Sequence, residues 1–241
     1  MKIIRCLIAD LKVEVGVRFE KLENCLEKYR YDFASTPDIC IIPEEERLQS
    51  AFKNNPSISP ENIEYIATGS MFYYKLLKFG GFMLHSSTIE KDGKAYIFTA
   101  NSGTGKSTHT SLWQKYLADV TMINDDKPAI VLKDGTFYAV GTPWSGKNNE
   151  STNIAVPVGG LVLLKRGKVN TIRKAPPTET VPFLMQQTLA SKKEENTLMQ
   201  VDLLDKFLKS TPAYVLECDI SEEAVKTSYE ALTGKKYIKG N

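Results

Sequence analysis

Histidine and cysteine are scarce in this sequence: two histidines, His85 and His109, and four cysteines, Cys6, Cys25, Cys40 and Cys218, in 241 residues. No two cysteines stand in CxxC spacing, which argues against a zinc site or a disulfide framework and reads the thiols as reduced core groups. An excess of either charge is also missing, since 31 Lys and Arg face 29 Asp and Glu. The basic residues are interspersed with acids rather than gathered in a stripe, so no nucleic-acid partner is expected. Apolar runs such as Gly159 to Leu164 are far shorter than the roughly 20 residues that cross a bilayer. Met1-Lys2 leads into a strand-like segment and not a signal peptide. The expectation is a cytoplasmic protein with no membrane partner. No solenoid repeat or low-complexity tract is visible, and the apolar and charged fractions are those of a packed domain.

What is present is an alternation of strand and helix signals along the whole chain, which predicts an α/β protein with a mixed sheet and flanking helices. Lys2 to Val17 is rich in Ile, Val and Leu, and Ile39 to Ile42 is a further strand candidate. Ser59-Pro60 opens a helix whose apolar residues continue to Leu77 and which Gly80-Gly81 stops. A boundary near residue 80 therefore separates a small N-terminal α/β domain, 1–80, suited to recognising a substrate or partner, from a nucleotide-binding domain, 81–241. Phe82 to Ile89 and Lys94 to Ala100 read as two strands around Lys91-Asp92-Gly93. Ala129 to Val140 is a second hairpin, turning at Lys133-Asp134-Gly135. Further on come a strand at 160–165, helices at about 180–191 and 197–209, a strand at 213–218 and a helix at 221–232.

Chemistry concentrates where Ala100-Asn101-Ser102-Gly103-Thr104-Gly105-Lys106-Ser107-Thr108 follows a strand and opens a helix. In that context the pattern is a phosphate-binding loop. Gly103 and Gly105 let main-chain N–H groups turn inward, and the helix start adds its unsatisfied amides and positive dipole end. Ser102 to Thr108 are the candidate nucleotide-binding residues. Lys106 sets a cation on the β and γ phosphates, and the Ser107 hydroxyl is suited to Mg²⁺. Ala100 stands where the strict pattern has glycine, which requires that residue 100 keep a negative φ at its strand end.

Asn124-Asp125-Asp126 ends the next apolar strand, at the edge where a parallel sheet brings strand ends together. One carboxylate can hold Mg²⁺ and the other can accept the proton of an attacking hydroxyl. His85, read as mid-strand, is suited to orienting a carboxylate. Trp144-Ser145-Gly146-Lys147 combines an aromatic, a glycine and a cation in a loop after the site strands, and Lys147 is a candidate for closing over substrate. His109 reads as structural. Arg166 and Arg173 are further sources of positive charge.

Three blocks in order, Met83 to Ser87, Ser102 to Thr108 and Asn124 to Asp126, resemble the nucleotide core of HPr kinase/phosphorylase and phosphoenolpyruvate carboxykinase. Gly141 to Lys147 extends the likeness more loosely. The resemblance implies that Asp125 and Asp126 serve as base and metal partner, Asp126 with Ser107 holding the metal, that Lys106 binds the β and γ phosphates, and that His85 supports them. It also implies a homo-oligomer. The chain is too short for a carboxykinase and its region 1–80 has a pattern of its own, so the likeness is to the small HPr-kinase-related proteins of bacteria, some similar to kinases of ribosomally made peptides.

Together these readings predict a Mg²⁺-dependent kinase that transfers the γ-phosphoryl of ATP to a hydroxyl of a peptide, small protein or small molecule, with a serine as the first candidate. ATP is taken as the donor because the Asn-Lys-x-Asp signature of guanine recognition is missing. The alternative from another class is a non-catalytic ATP-binding module that regulates or arranges a peptide-modification system.

Overall fold

Apolar residues alternate at Ile4, Cys6 and Ile8 and again at Val13, Val15 and Val17, giving one buried face to each of the first two strands, β1 (Lys2–Ile8) and β2 (Leu11–Val17). The structure, a computed structural model, describes residues 1–239. The two strands form an antiparallel hairpin closed by Ala9 and Asp10, both at positive φ. After α1 (Glu20–Leu26), the short β3 (Ile39–Ile41) adds parallel to β2 and completes a three-stranded sheet. Next come α2 (Glu45–Asn54) and α3 (Pro60–Leu76). Ser59 and Pro60 open α3, and a short 3₁₀ turn closes it on Gly80 in the left-handed region. Phe72, Tyr73 and Leu76 of α3 join the core of the first sheet, which continues into Met83, Ala129, Val140 and Trp144.

The larger sheet has nine strands among the described residues: β4 (Gly81–Met83), β5 (Ser86–Lys91), β6 (Lys94–Thr99), β7 (Thr121–Asn124), β8 (Ala129–Lys133), β9 (Thr136–Val140), β10 (Ala155–Arg166), β11 (Thr171–Lys174) and β12 (Ala213–Cys218). Their order is β4-β8-β9-β10-β6-β5-β7, with β12 on β10 and β11 on β12. β10 curls the sheet by changing partners along its length. Ala155 to Pro157 pair antiparallel with β9, and beyond Val158 the strand runs parallel to β6 and then also to β12. Leu161 and Leu163 face one core with Leu184, Leu204 and Phe207 of the helices α5 (Pro177–Gln187) and α6 (Glu194–Ser210). Val162 and Leu164 face the other, with Trp113 of α4 (Lys106–Tyr116) and Tyr229 of α7 (Glu222–Thr233). A strand covered on both faces reads as an unbroken apolar run, which is why Gly160 to Leu164 lacks alternation. The fold is thus mixed α/β, with a curled sheet and flanking helices.

Several local expectations need correction. The strand expected over Phe82 to Ile89 is broken at Leu84-His85, because Leu84 N–H donates to Pro128 O and His85 N–H to Gln187 O. β10 begins at Ala155 and not Gly160. α5 runs from Pro177 to Gln187 instead of 180–191. The Asp-Gly hairpins form where expected, with positive φ at both Asp92-Gly93 and Asp134-Gly135. The four cysteines are free. No helix among the described residues is long and apolar enough to cross a membrane.

Candidate functional site

β5 runs antiparallel to both of its neighbours, β6 and β7, so those two strands run parallel to each other. Their carboxyl ends consequently lie on one edge of the sheet, on either side of the amino end of β5. This topology brings together the loop after β6, the aspartates after β7 and the residues His85 to Ser87 that lead into β5. The expectation had the two acidic and phosphate-loop strands as direct neighbours; the intervening antiparallel strand keeps their ends together and inserts His85 between them.

The loop has the local geometry its glycines permit. Gly103 and Gly105 take φ of 76° and 120°, while Ala100 stays out of the positive-φ region and is fully buried. Thr104 N–H donates to Asn101 O, and the other amides from Ser102 to Thr108 have no acceptor among the described residues. Lys106, only 8% exposed, folds back under the loop and its Nζ donates to Ala100 O at 3.1 Å. That is one bond from a group with three donors. Burial lowers the Lys106 pKa, opposed by the nearby Asp126 and Asp125 carboxylates. Ser102, Gly103, Ser107 and Thr108 are exposed on the outer side. Arg166, at the end of β10, donates from Nε to Thr104 O at 3.1 Å and from Nη2 to Gly103 O.

The aspartates are fixed by their neighbours. Asn124 is fully buried; its amide oxygen accepts from the N–H groups of Asp126 (2.9 Å) and Lys127 (2.7 Å), and its amide nitrogen donates to Thr142 O (3.0 Å). This turns the chain sharply after β7 and projects both carboxylates from a bend rather than from a strand. Asp125 Oδ1 accepts from Ser87 Oγ at 2.5 Å, and Ser87 Oγ lies 2.7 Å from Thr110 Oγ1 on α4. Asp126 Oδ1 is 3.3 Å from His85 Nε2, while Lys127 Nζ pairs with Asp126 Oδ2. Burial on its own would raise the Asp126 carboxyl; the hydrogen bond from His85 and the Lys127 ammonium outweigh it and hold the pKa below its ordinary value. The other ring nitrogen of His85 lies 3.2 Å from Gln187 Oε1, so α5 sets the ring's orientation.

Lys147 stands in an exposed turn and has no hydrogen bond or ion pair among the described residues. Its neighbour Gly146 packs against Asp126 so closely that an added Cβ would lie 2.9 Å from the Asp126 Cβ, and Gly146 N–H donates to Tyr65 Oη. Trp144 does not cover the site. It is buried, stacks on Phe72 with ring centroids 4.9 Å apart, and its indole N–H donates to Thr68 Oγ1. On the other flank of the loop, a cleft of about 560 Å³ runs between Thr104, Thr108 and Leu112 on one side and Leu164, Cys218 and Ile220 on the other.

Among the described residues no three His, Cys, Asp or Glu side chains converge as a ready-made metal cluster. The donors present are the Asp125 and Asp126 carboxylates and the Ser107 hydroxyl, hard oxygens of the kind that Mg²⁺ takes when phosphates supply the rest of its shell. Ser87, Thr110, Asn124, Lys127 and Gln187 were given no role from sequence. Only Asn124, beside the aspartates, carried a usable signal, as a turn former before two acids.

Residues 56–227 match the family model described as SynChlorMet cassette protein ScmC. No curated protein matches the chain. A solved structure titled as the Hpr(Ser) kinase/phosphatase from Coxiella burnetii aligns with 10% identity and a TM-score of 0.31, over 53% of this chain and 96% of that one. These findings overturn the resemblance to HPr kinase/phosphorylase and phosphoenolpyruvate carboxykinase. The matched family is a distinct one, and likeness at that level does not support membership of the other. The physical reason is that the three blocks are short. Glycines at positive φ, a lysine at a helix start and acids at a strand end recur on unrelated folds, so three short blocks do not by themselves carry a lineage.

Proposed function

The chain belongs to the ScmC family, and we propose that it is a Mg²⁺-dependent phosphotransferase, moving the γ-phosphoryl group of ATP to a hydroxyl, foremost a serine of a peptide or small protein. One observation carries this reading: the Ser87 hydroxyl bridges Thr110, on the helix that the loop opens, and Asp125, which ties the acid to the base of the loop's helix. The unsatisfied loop amides and the Lys106 ammonium bind the β and γ phosphates. The cleft beside the loop, walled by Leu112, Leu164 and Ile220, takes the adenosine. Asp126, kept anionic by His85 and Lys127, holds Mg²⁺ together with Ser107. Held there, Mg²⁺ would supply charge neutralisation on the phosphates. Asp125 has one oxygen fixed by Ser87 and turns the other to the acceptor hydroxyl, taking its proton as the new O–P bond forms and the bond to the β–γ bridging oxygen breaks. Lys147 reaches over the acceptor from its turn beside Asp126. Residues 1–80 recognise that acceptor, supported by Tyr29 and Lys28, which bond to Ser151, and Tyr65, which holds Gly146.

The test is transfer from labelled ATP to serine peptides, run beside calorimetric titration of ATP. Asp125→Asn is expected to abolish transfer and retain binding within about threefold, since it keeps the side-chain shape and the Ser87 contact while removing the base. Transfer that persists in this variant removes the mechanism. ATP binding with no turnover in the wild type makes the protein a nucleotide-binding module instead.

A further inference from the structure

β10 and β6 pair in parallel with Leu163 opposite Thr99, so Arg166 extends three residues past the pairing and reaches the loop that leaves β6. Its guanidinium makes a fork, Nε to Thr104 O at 3.1 Å and Nη2 to Gly103 O at 2.5 Å. Within one peptide unit the C=O and the following N–H point in opposite directions, because the trans bond is planar. Drawing Thr104 O toward β10 therefore turns Gly105 N–H away from β10, and that N–H has no acceptor among the described residues. A Cβ at Gly103 would meet nothing within 4 Å and one at Gly105 only Thr108 Cβ, at 4.0 Å, so packing does little to fix either residue. The register of β10 supplies what packing does not.

We propose that Arg166 is a positioning residue: it presets the amide cradle of the phosphate loop by holding two of its carbonyl oxygens, and it does so as a fork rather than as a charge. This rests on the reading of the loop as a phosphate site. An ammonium is a point donor and does not reproduce two bonds of fixed spacing, so lysine is not an equivalent replacement here. The role was out of reach from sequence, because it depends on strand register between segments more than sixty residues apart.

The experiment compares wild type, Arg166→Lys and Arg166→Met by calorimetric titration with inorganic tripolyphosphate, and by amide hydrogen exchange of residues 101–106 in the ligand-free protein. Both variants are expected to bind tripolyphosphate about tenfold more weakly or worse, as befits loss of charge-assisted hydrogen bonds. Both are expected to exchange faster across the loop, with an unchanged unfolding midpoint. If Arg166→Lys binds as tightly as wild type, charge suffices and the fork is refuted. If Arg166→Met leaves binding and exchange unchanged, the loop holds itself and the proposal fails. Wild-type protein with no affinity for tripolyphosphate refutes the phosphate reading, whereas the exchange measurement still decides whether Arg166 orders the loop.

Discussion

Replacing Lys106 with methionine separates what this side chain does for the fold from what it does for a ligand. The residue is 8% exposed and its ammonium holds a single hydrogen bond, to Ala100 O. In the ligand-free protein the substitution removes that bond, worth about 1 kcal/mol, and also relieves the desolvation that burial imposes on the cation. The two effects oppose, so the ligand-free unfolding midpoint is expected to move little. With MgATP at a hundred times its Kd, wild-type protein gains about 2.7 kcal/mol from binding. For a chain of this size that is a rise of roughly 5–10 °C in Tm. Loss of a charge-assisted hydrogen bond of about 2 kcal/mol weakens binding some thirtyfold and leaves a rise of about 2–3 °C at the same concentration. Differential scanning calorimetry with and without MgATP measures both quantities. A full ligand shift in Lys106→Met shows that the ammonium does not meet the phosphates, and no shift in wild type removes the nucleotide altogether.

Some of this arrangement was legible in the sequence because it obeys local rules. Gly103 and Gly105 announce positive φ, Asp92-Gly93 and Asp134-Gly135 announce hairpins, and Ser59-Pro60 announces a helix start. What was not legible is either unsignalled or non-local. α1 and α2 start behind Phe19 and Glu44, which make no side-chain cap, so only the acidic residues of their first turns mark where they begin. Ser87 earns its position from Thr110 and Asp125, and His85 from Gln187, pairings that no periodicity reveals. Trp144 beside a glycine and a lysine looks like a binding loop, yet it inserts into the core between the two sheets because α3 offers Phe72 and Thr68 there. The three short motifs point to the wrong family because one chemistry recurs on unrelated folds, whereas the family match spans residues 56–227.

The remaining predictions test the site's scaffold. Ser87→Ala removes the donor to Asp125 and is expected to slow transfer about 10–100-fold while ATP affinity changes less than twofold, read as a split between turnover and calorimetric Kd. Trp144→Ala is expected to lower unfolding stability in urea by about 3–5 kcal/mol, with nucleotide affinity retained where the protein is folded; a small cost contradicts its role as a core residue. Finally, His109 is buried against Phe98, Trp113 and Ser228, none of them charged, with its Nε2 accepting from Trp113 Nε1, and burial pushes its pKa down from 6.5 to about 4. The unfolded chain binds the proton more readily than the folded one between those values, so this contribution to stability is complete above about pH 6.5 and is lost as pH falls toward 4. Its size is about 3 kcal/mol at 1.36 kcal/mol per pKa unit. Urea unfolding between pH 7 and 4.5 measures the slope, and His109→Gln, which keeps an acceptor for Trp113, should flatten it. An equal slope in the variant assigns the acid sensitivity to other groups and shows that the buried ring does not resist protonation.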